Sequence, residues 1–213
     1  MRFFQILEAL FYDHSFLTIF RLNFHKVDTD LYRSAQPNPY QLKKIIKEKN
    51  IKTVFNLRGD ENIAILNLER EVCKKMNVAL VEEKFFSRRM LTYETMIKAK
   101  KILESIEYPA LIHCKAGADR TSMISVLYLH FIKNIPLHVA KQKELKLFPY
   151  GHFNFGKTGI IDWFFDQFIK HQKTNPNTNL LEWSKNIDNE EFKKQYIPNS
   201  FWDFILDKVL RRE

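Results

Sequence analysis

Cysteine is nearly absent from this chain: there are two, Cys73 and Cys114. Two thiols in a chain of 213 residues cannot build the multiple cross-links on which small secreted domains rely. The expectation is a reduced, cytoplasmic protein with two free thiols. Glycine and proline are also scarce, at 5 and 7 residues, which argues against collagen-like and low-complexity chains. Long uncharged apolar runs are lacking too. The stretch Met1–Phe20 is rich in Phe, Leu and Ile, but Glu8, Asp13 and His14 interrupt it well short of the ~20 residues that span a bilayer. It is expected to form an amphipathic helix (residues 1–24) packed on the domain. It lacks the Lys-rich face usual at a membrane surface, and a peripheral membrane contact stays an open alternative.

What the chain has is apolar bulk and positive charge. Hydrophobic residues make up 45%, and Phe alone numbers 19, enough for a substantial core. The net charge is +9. Such a surface attracts polyanions: nucleic acid, anionic headgroups or phosphorylated small molecules. No DNA- or RNA-reading motif accompanies the charge, and nucleic acid is not expected as a partner.

Asp28–Gln36 suggests an extended segment, punctuated by Pro37 and Pro39. Tyr40–Lys47 has helical spacing of apolar residues, and Ile51–Leu57 is a β-branched run ending before Gly59. A helix is expected over Ala64–Met76, a strand over Val78–Val81, and a helix from Thr92 to about Ser105. Ala110–His113 has the composition of a fully buried strand, and Thr121–Lys133 is apolar nearly all round, as suits a central helix. This alternation predicts an α/β fold with a central, mostly parallel sheet flanked by helices. Further helices are expected at Leu137–Leu147, Thr158–Lys173, Leu180–Lys185 and Asn199–Arg211, with a turn or linker at Thr174–Asn179. The expected organisation is a catalytic domain over 25–173 and a helical C-terminal extension over 174–213, packed on the same domain.

The segment His113–Thr121 (HCKAGADRT) carries the chemistry. A strand ends at a cysteine, a short loop follows, and a helix begins. A loop feeding a helix N-terminus turns backbone N–H groups toward one point and adds the positive end of the helix dipole, which together make an anion site. Gly117 permits the backbone angles of a tight nest, and Arg120 offers a planar fork matching two phosphate oxygens. The same field favours a thiolate at the head of such a loop. A thiolate beneath a bound phosphate is a nucleophile aimed at phosphorus. Cys73 lies in a helical pattern with no such loop and is assigned to packing.

These residues follow the pattern His-Cys-x5-Arg-Ser/Thr. Here the chain resembles the protein-tyrosine-phosphatase superfamily, and most closely its bacterial dual-specificity-like branch. The segments LYRSAQP, IKTVFNLRG, SRRMLT and YGHF extend the resemblance over roughly residues 25–170. The resemblance implies a dual-specificity-phosphatase-like fold and phosphomonoester hydrolysis through a phosphocysteine, with no metal or cofactor. It implies Cys114 as nucleophile and Arg120 as phosphate clamp. Lys115, Ala116, Gly117, Ala118 and Asp119 would offer backbone N–H groups, and Thr121 would hydrogen-bond the thiolate.

One departure from the family pattern is plain. No Asp lies between Val78 and Ile112, where the family usually carries a general acid. Asp119 is the first substitute, since myotubularin-type lipid phosphatases also place Asp before the loop Arg. A structural carboxylate is an equal reading for it, and Asp60 and Glu61 are weaker substitutes. Arg88 and Arg89 are candidate substrate-binding residues, together with Lys115. The expected substrate is a phosphorylated small molecule, a lipid headgroup or a phosphoprotein, with phosphoinositides or inositol phosphates ahead of phosphotyrosine. A catalytically weak phospho-binding module is the alternative from outside the enzymes.

Overall fold

A computed structural model of the chain describes residues 22–198. The helix expected at Asn199–Arg211 lies outside the described residues, as does most of the one expected over 1–24; its last three residues, 22–24, are not helical, and Asn23 takes a left-handed φ of 51°. The chain forms two compact units. One holds the described residues to Phe85 together with Ile106–Thr121; the other holds Phe86–Ser105 and the described residues from Ser122 onward.

The first unit is built on a five-stranded sheet. Its strands are β1 (His25–Lys26), β2 (Leu31–Ser34), β3 (Thr53–Asn56), β4 (Ala79–Glu82) and β5 (Ala110–His113). The spatial order is β1-β2-β5-β3-β4. Only β1 runs antiparallel, against β2; the other pairings are parallel. The two-residue β1 was not evident from the sequence, because so short a strand shows no periodicity. Strand β5 sits between β2 and β3, with Ser34 and Asn56 both in register with His113. Three strand ends therefore finish level, and the segments that follow them meet at the carboxyl edge of the sheet, where open α/β sheets bind ligands.

Helices α1 (Pro39–Lys49) and α2 (Ile63–Met76) pack together and cover β3 and β5 in this unit. Asn38 caps α1 by accepting from the N–H groups of Tyr40 and Gln41, and Gln41 returns a bond to the Asn38 N–H. This reciprocal box, with Pro39 just inside, fixes where α1 starts. Helix α1 buries Leu42, Ile45 and Ile46, and α2 buries Ile65, Leu66, Val72 and Cys73. They join Ile51, Val54 and Leu111 in one cluster. Fully burying each large aliphatic contributes about 1.5–3 kcal/mol. The shortage of glycine does not prevent left-handed caps: Asn50 and Asn77 close α1 and α2 at φ 51° and 53°. Asparagine tolerates that region better than other side-chain-bearing residues.

In the second unit, α3 (Tyr93–Ser105) and α4 (Asp119–Phe131), whose first turn belongs to the first unit, are followed by α5 (Leu137–Glu144), α6 (Ile160–Thr174), α7 (Leu180–Lys185) and α8 (Asn189–Lys194). Helix α5 is shorter than its expected Leu137–Leu147, because the backbone leaves the helical region at Leu145 (φ −92°, ψ 82°). The turn at Thr174–Asn179 does not part the helices around it. Trp183 of α7 lies with its ring centroid 5.3 Å from those of Phe164 and Phe168 in α6. Helix α8 was not foreseen; Asp188 caps it through the N–H groups of Glu190 and Glu191. Among the described residues, no helix is long and apolar enough to cross a membrane.

Cys73 is 2% exposed, and burial, followed by the charges of Glu69 and Glu82, pushes its thiol up to about 12. Because this lies above an unfolded cysteine near 8.5, the buried thiol keeps its contribution to stability below about pH 8.5 and loses it as pH rises toward the folded value. Native protein treated with iodoacetamide at pH 8 is expected to leave Cys73 unmodified, and denatured protein to lose it at once. Peptide mass mapping reads the difference, and rapid native labelling of Cys73 would contradict this packing.

Candidate active site

Strand β5 delivers Cys114 to the centre of the carboxyl edge. The side chain is buried at 3% exposure, and the next residues curl into a loop before α4 begins at Asp119. The loop's carbonyls are all engaged on the β2 side. Lys115 O accepts from Gln36 N–H at 3.2 Å. Asn23 Nδ2 donates to Ala116 O and Gly117 O, each at 3.0 Å. Arg33 Nη2 donates to Gly117 O at 2.9 Å and Ala118 O at 3.2 Å. In a trans peptide the N–H points opposite the C=O. Carbonyls drawn outward at these four positions turn the N–H groups of Ala116, Gly117, Ala118 and Asp119 to the loop's other side. The result is a row of four donors directly after Cys114.

Gly117 has φ +68°, and a Cβ there would stand 2.4 Å from Ala35 N and 2.6 Å from Ser34 C. The obstacle is strand backbone, so the loop can lie against β2 only because this residue has no side chain. Thr121 is fully buried. Its Oγ1 accepts from Arg33 Nη2 at 3.1 Å and donates to Ala118 O at 3.3 Å, so its proton is directed to the loop carbonyl.

Arg120 is 4% exposed, and its Nη1 donates to Glu61 Oε1 at 2.7 Å. Glu61 also meets Arg58 Nε at 3.3 Å and Lys84 Nζ at 4.0 Å. Of the two acids expected after β3, both exposed as residues, the fold brings the Glu61 carboxylate to the loop arginine. Asp119 is 6% exposed in the first turn of α4, where a carboxylate suits the helix dipole. Lys115 is half-buried. Arg88 and Arg89 fall in the second unit. Arg88 is half-buried, and the Arg89 guanidinium stacks 4.0 Å from the Phe86 ring centroid.

Beneath the loop lies a buried polar layer that sequence reasoning missed. Glu69 on α2 is 3% exposed and accepts from Asn56 Nδ2 at 2.8 Å. Its Oε1 approaches His113 Nε2 at 2.7 Å, an ion-pair distance off hydrogen-bond alignment. Gln36 Oε1 accepts from Arg58 Nη1 at 3.3 Å. Arg33, Asn23 and Glu69 were also missed. The one available signal was polarity at core positions: Arg33 alternates within a buried strand, and Glu69 falls on the apolar stripe of α2.

Gly117→Ala is expected to lower kcat/KM by at least about tenfold while the sheet stays folded, since the strain of a left-handed non-glycine, on the order of 1–3 kcal/mol, falls on the loop. Steady-state kinetics with circular dichroism checks this. Unchanged kinetics would show that the loop can leave β2 without consequence.

A family model described as the tyrosine phosphatase family matches residues 18–185. No curated protein sequence matches the chain. Among solved structures, P. aeruginosa TpbA is similar at 19% identity and TM-score 0.54, covering 68% of this chain and 84% of that one. Tk-PTP in its active form gives 16% identity and TM-score 0.52, covering 68% and 97%. PTPMT1 gives 16% identity and TM-score 0.50, covering 71% and 99%. At these identities the structural likenesses establish the fold, while the family match, running through sheet, loop and α6, establishes the lineage. This chain belongs to the tyrosine phosphatase family and is a phosphoric monoester hydrolase.

Proposed function

We propose that the enzyme works through a phosphocysteine formed on Cys114. The observation that carries this is the set of four engaged carbonyls, Lys115 to Ala118, which turns the N–H groups of Ala116 to Asp119 the other way, just before the buried Arg120. A phosphate monoester seated there has its non-bridging oxygens held by N–H donors and the Arg120 fork, with phosphorus over the Cys114 sulfur. Sulfur attacks phosphorus, the S–P bond forms, and the ester oxygen departs with a proton from Asp119. Water then attacks the phosphocysteine, Asp119 takes its proton, and inorganic phosphate leaves with the thiolate restored. Thr121 eases the departure of the thiolate once its proton turns from Ala118 O.

The substrate we propose is a small molecule or lipid headgroup with more than one phosphate, of the phosphoinositide or inositol phosphate kind. Supporting this, Arg58 and Lys84 gather beside Arg120, Lys115 stands next to the nucleophile, and the chain carries +9. A phosphate beside the scissile one would meet these cations in a partly desolvated site, where charge-assisted contacts are worth on the order of 1.5–3 kcal/mol each. The family match favours a second reading, a protein tyrosine phosphatase.

Cys114→Ser is expected to abolish phosphate release and keep phosphate binding, because the donor row and Arg120 persist. Asp119→Asn is expected to slow alkyl phosphates far more than activated aryl phosphates, since only a poor leaving group needs the proton. Residual turnover in Cys114→Ser near the wild-type rate would sink the covalent mechanism, and equal slowing of both esters by Asp119→Asn would make that residue structural.

Substrate class is decided by phosphate release across phosphoinositides, inositol phosphates and phosphotyrosine peptides, with Lys84→Ala and Lys115→Ala beside wild type. Multiply phosphorylated compounds are expected to lead in kcat/KM, and the double variant to lose part of that lead. A phosphotyrosine peptide above all of them would select the second reading.

A further inference from the structure

Buried arginines need an anion whether or not substrate is bound. Arg120 and Arg58 are each 4% exposed, and in this structure both donate to Glu61. Glu61 differs from them in kind. Its side chain is 25% exposed, and it sits in a turn between the left-handed Gly59 (φ 59°) and Asn62, the cap of α2. It can swing into water without moving a strand or a helix. Its bond to Arg120 is the shortest of its contacts, at 2.7 Å against 3.3 Å to Arg58 and 4.0 Å to Lys84. Three cations thus converge on one movable carboxylate at the arginine that closes the phosphate loop.

We propose that Glu61 is an internal counter-anion that holds Arg120 in the empty enzyme and is displaced by the incoming phosphate, so that it sets the affinity of the site. The inference rests on the phosphate-binding role given to Arg120 above. A phosphate dianion offers more charge and more acceptor oxygens to the guanidinium than one carboxylate does, and therefore wins the exchange. What it wins is reduced by the bond that Glu61 must give up. The arrangement keeps the buried guanidinium paired between turnovers and weakens the hold of product phosphate.

The test uses the full chain. Binding of inorganic phosphate is measured by titration calorimetry in Cys114→Ser protein, with Glu61 intact or replaced by Gln. KM for an aryl phosphate and Ki for phosphate are measured in the Cys114 enzyme. Glu61→Gln is expected to tighten phosphate by about tenfold, the scale of one partly exposed charge-assisted bond, and to lower KM and Ki together. It is also expected to melt at lower temperature without phosphate and to recover that loss when phosphate is saturating. Glu61→Asp, one methylene shorter, is expected to shift in the same direction and serves if the Gln protein does not fold. Weaker or unchanged phosphate binding in the variants would overturn the proposal and make Glu61 an aligner of Arg120 or a bystander. Absence of phosphate binding even with Glu61 intact would instead overturn the phosphate-binding role of the loop, and this inference with it.

Discussion

A peptide group cannot turn its N–H inward without turning its carbonyl outward, and an outward carbonyl in a protein interior must find a donor. In this molecule Arg33 supplies the central ones. Its fully buried guanidinium reaches Gly117 O, Ala118 O and Thr121 Oγ1 from the middle of β2. Asn23 and the Gln36 N–H hold the flanking carbonyls. The N–H face of the loop is therefore the reverse side of a satisfied hydrogen-bond set. Each unmet carbonyl would cost on the order of 1–3 kcal/mol, so the loop's shape is stabilised by the strand and not by the ligand. Under the proposed mechanism, a loop so arranged needs no reorganisation during reaction.

The sheet makes that arrangement possible. Placing β5 between β2 and β3 gives the loop a neighbour on each side, with different work for each. The β2 side supplies donors to carbonyls and, at Ser34–Ala35, backbone so close that only glycine fits at 117. The β3 side supplies Asn56, Arg58 and Glu61, which reach Glu69, Gln36 and Arg120 respectively. Leu57 N–H bonds His113 O at 2.9 Å and carries the pairing of β3 and β5 one residue past their ladder. Cys114 thus leaves the sheet from the strand that is paired on both sides.

Charge is distributed by depth. Glu69 lies under the loop with His113 and Asn56, a buried carboxylate held by neighbours on two strands. Glu61 lies at the rim, partly in water, held by cations. Removing a partner from the buried set would strand a polar group in the core, whereas the rim set can exchange one anion for another. The same contrast separates the two thiols: Cys73 is locked as a neutral packing group among aliphatic side chains, and Cys114 heads a row of N–H donors.

The sequence by itself determined the local chemistry. The spacing from Cys114 to Arg120, with Gly117 between and a strand before, specified the strand–loop–helix turn because those features act through neighbours in the chain. The alternation of apolar runs specified the parallel strands and their helices, since periodicity is local too; β1 escaped because two residues show no period, and α8 because Phe192 is its one apolar residue and it buries none. What only the tertiary structure decided is which distant groups serve the loop. Arg33 and Gly117 are 84 positions apart, Asn23 and Gly117 are 94, and Glu61 and Arg120 are 59. Nothing in a run of residues says that β2 and β3 will flank β5, or that their ends will stop level with it. Strand order and register follow from packing the whole apolar set at once. They brought Glu61 to Arg120, left Asp60 in water, and made a lone arginine in a buried strand the support of the site.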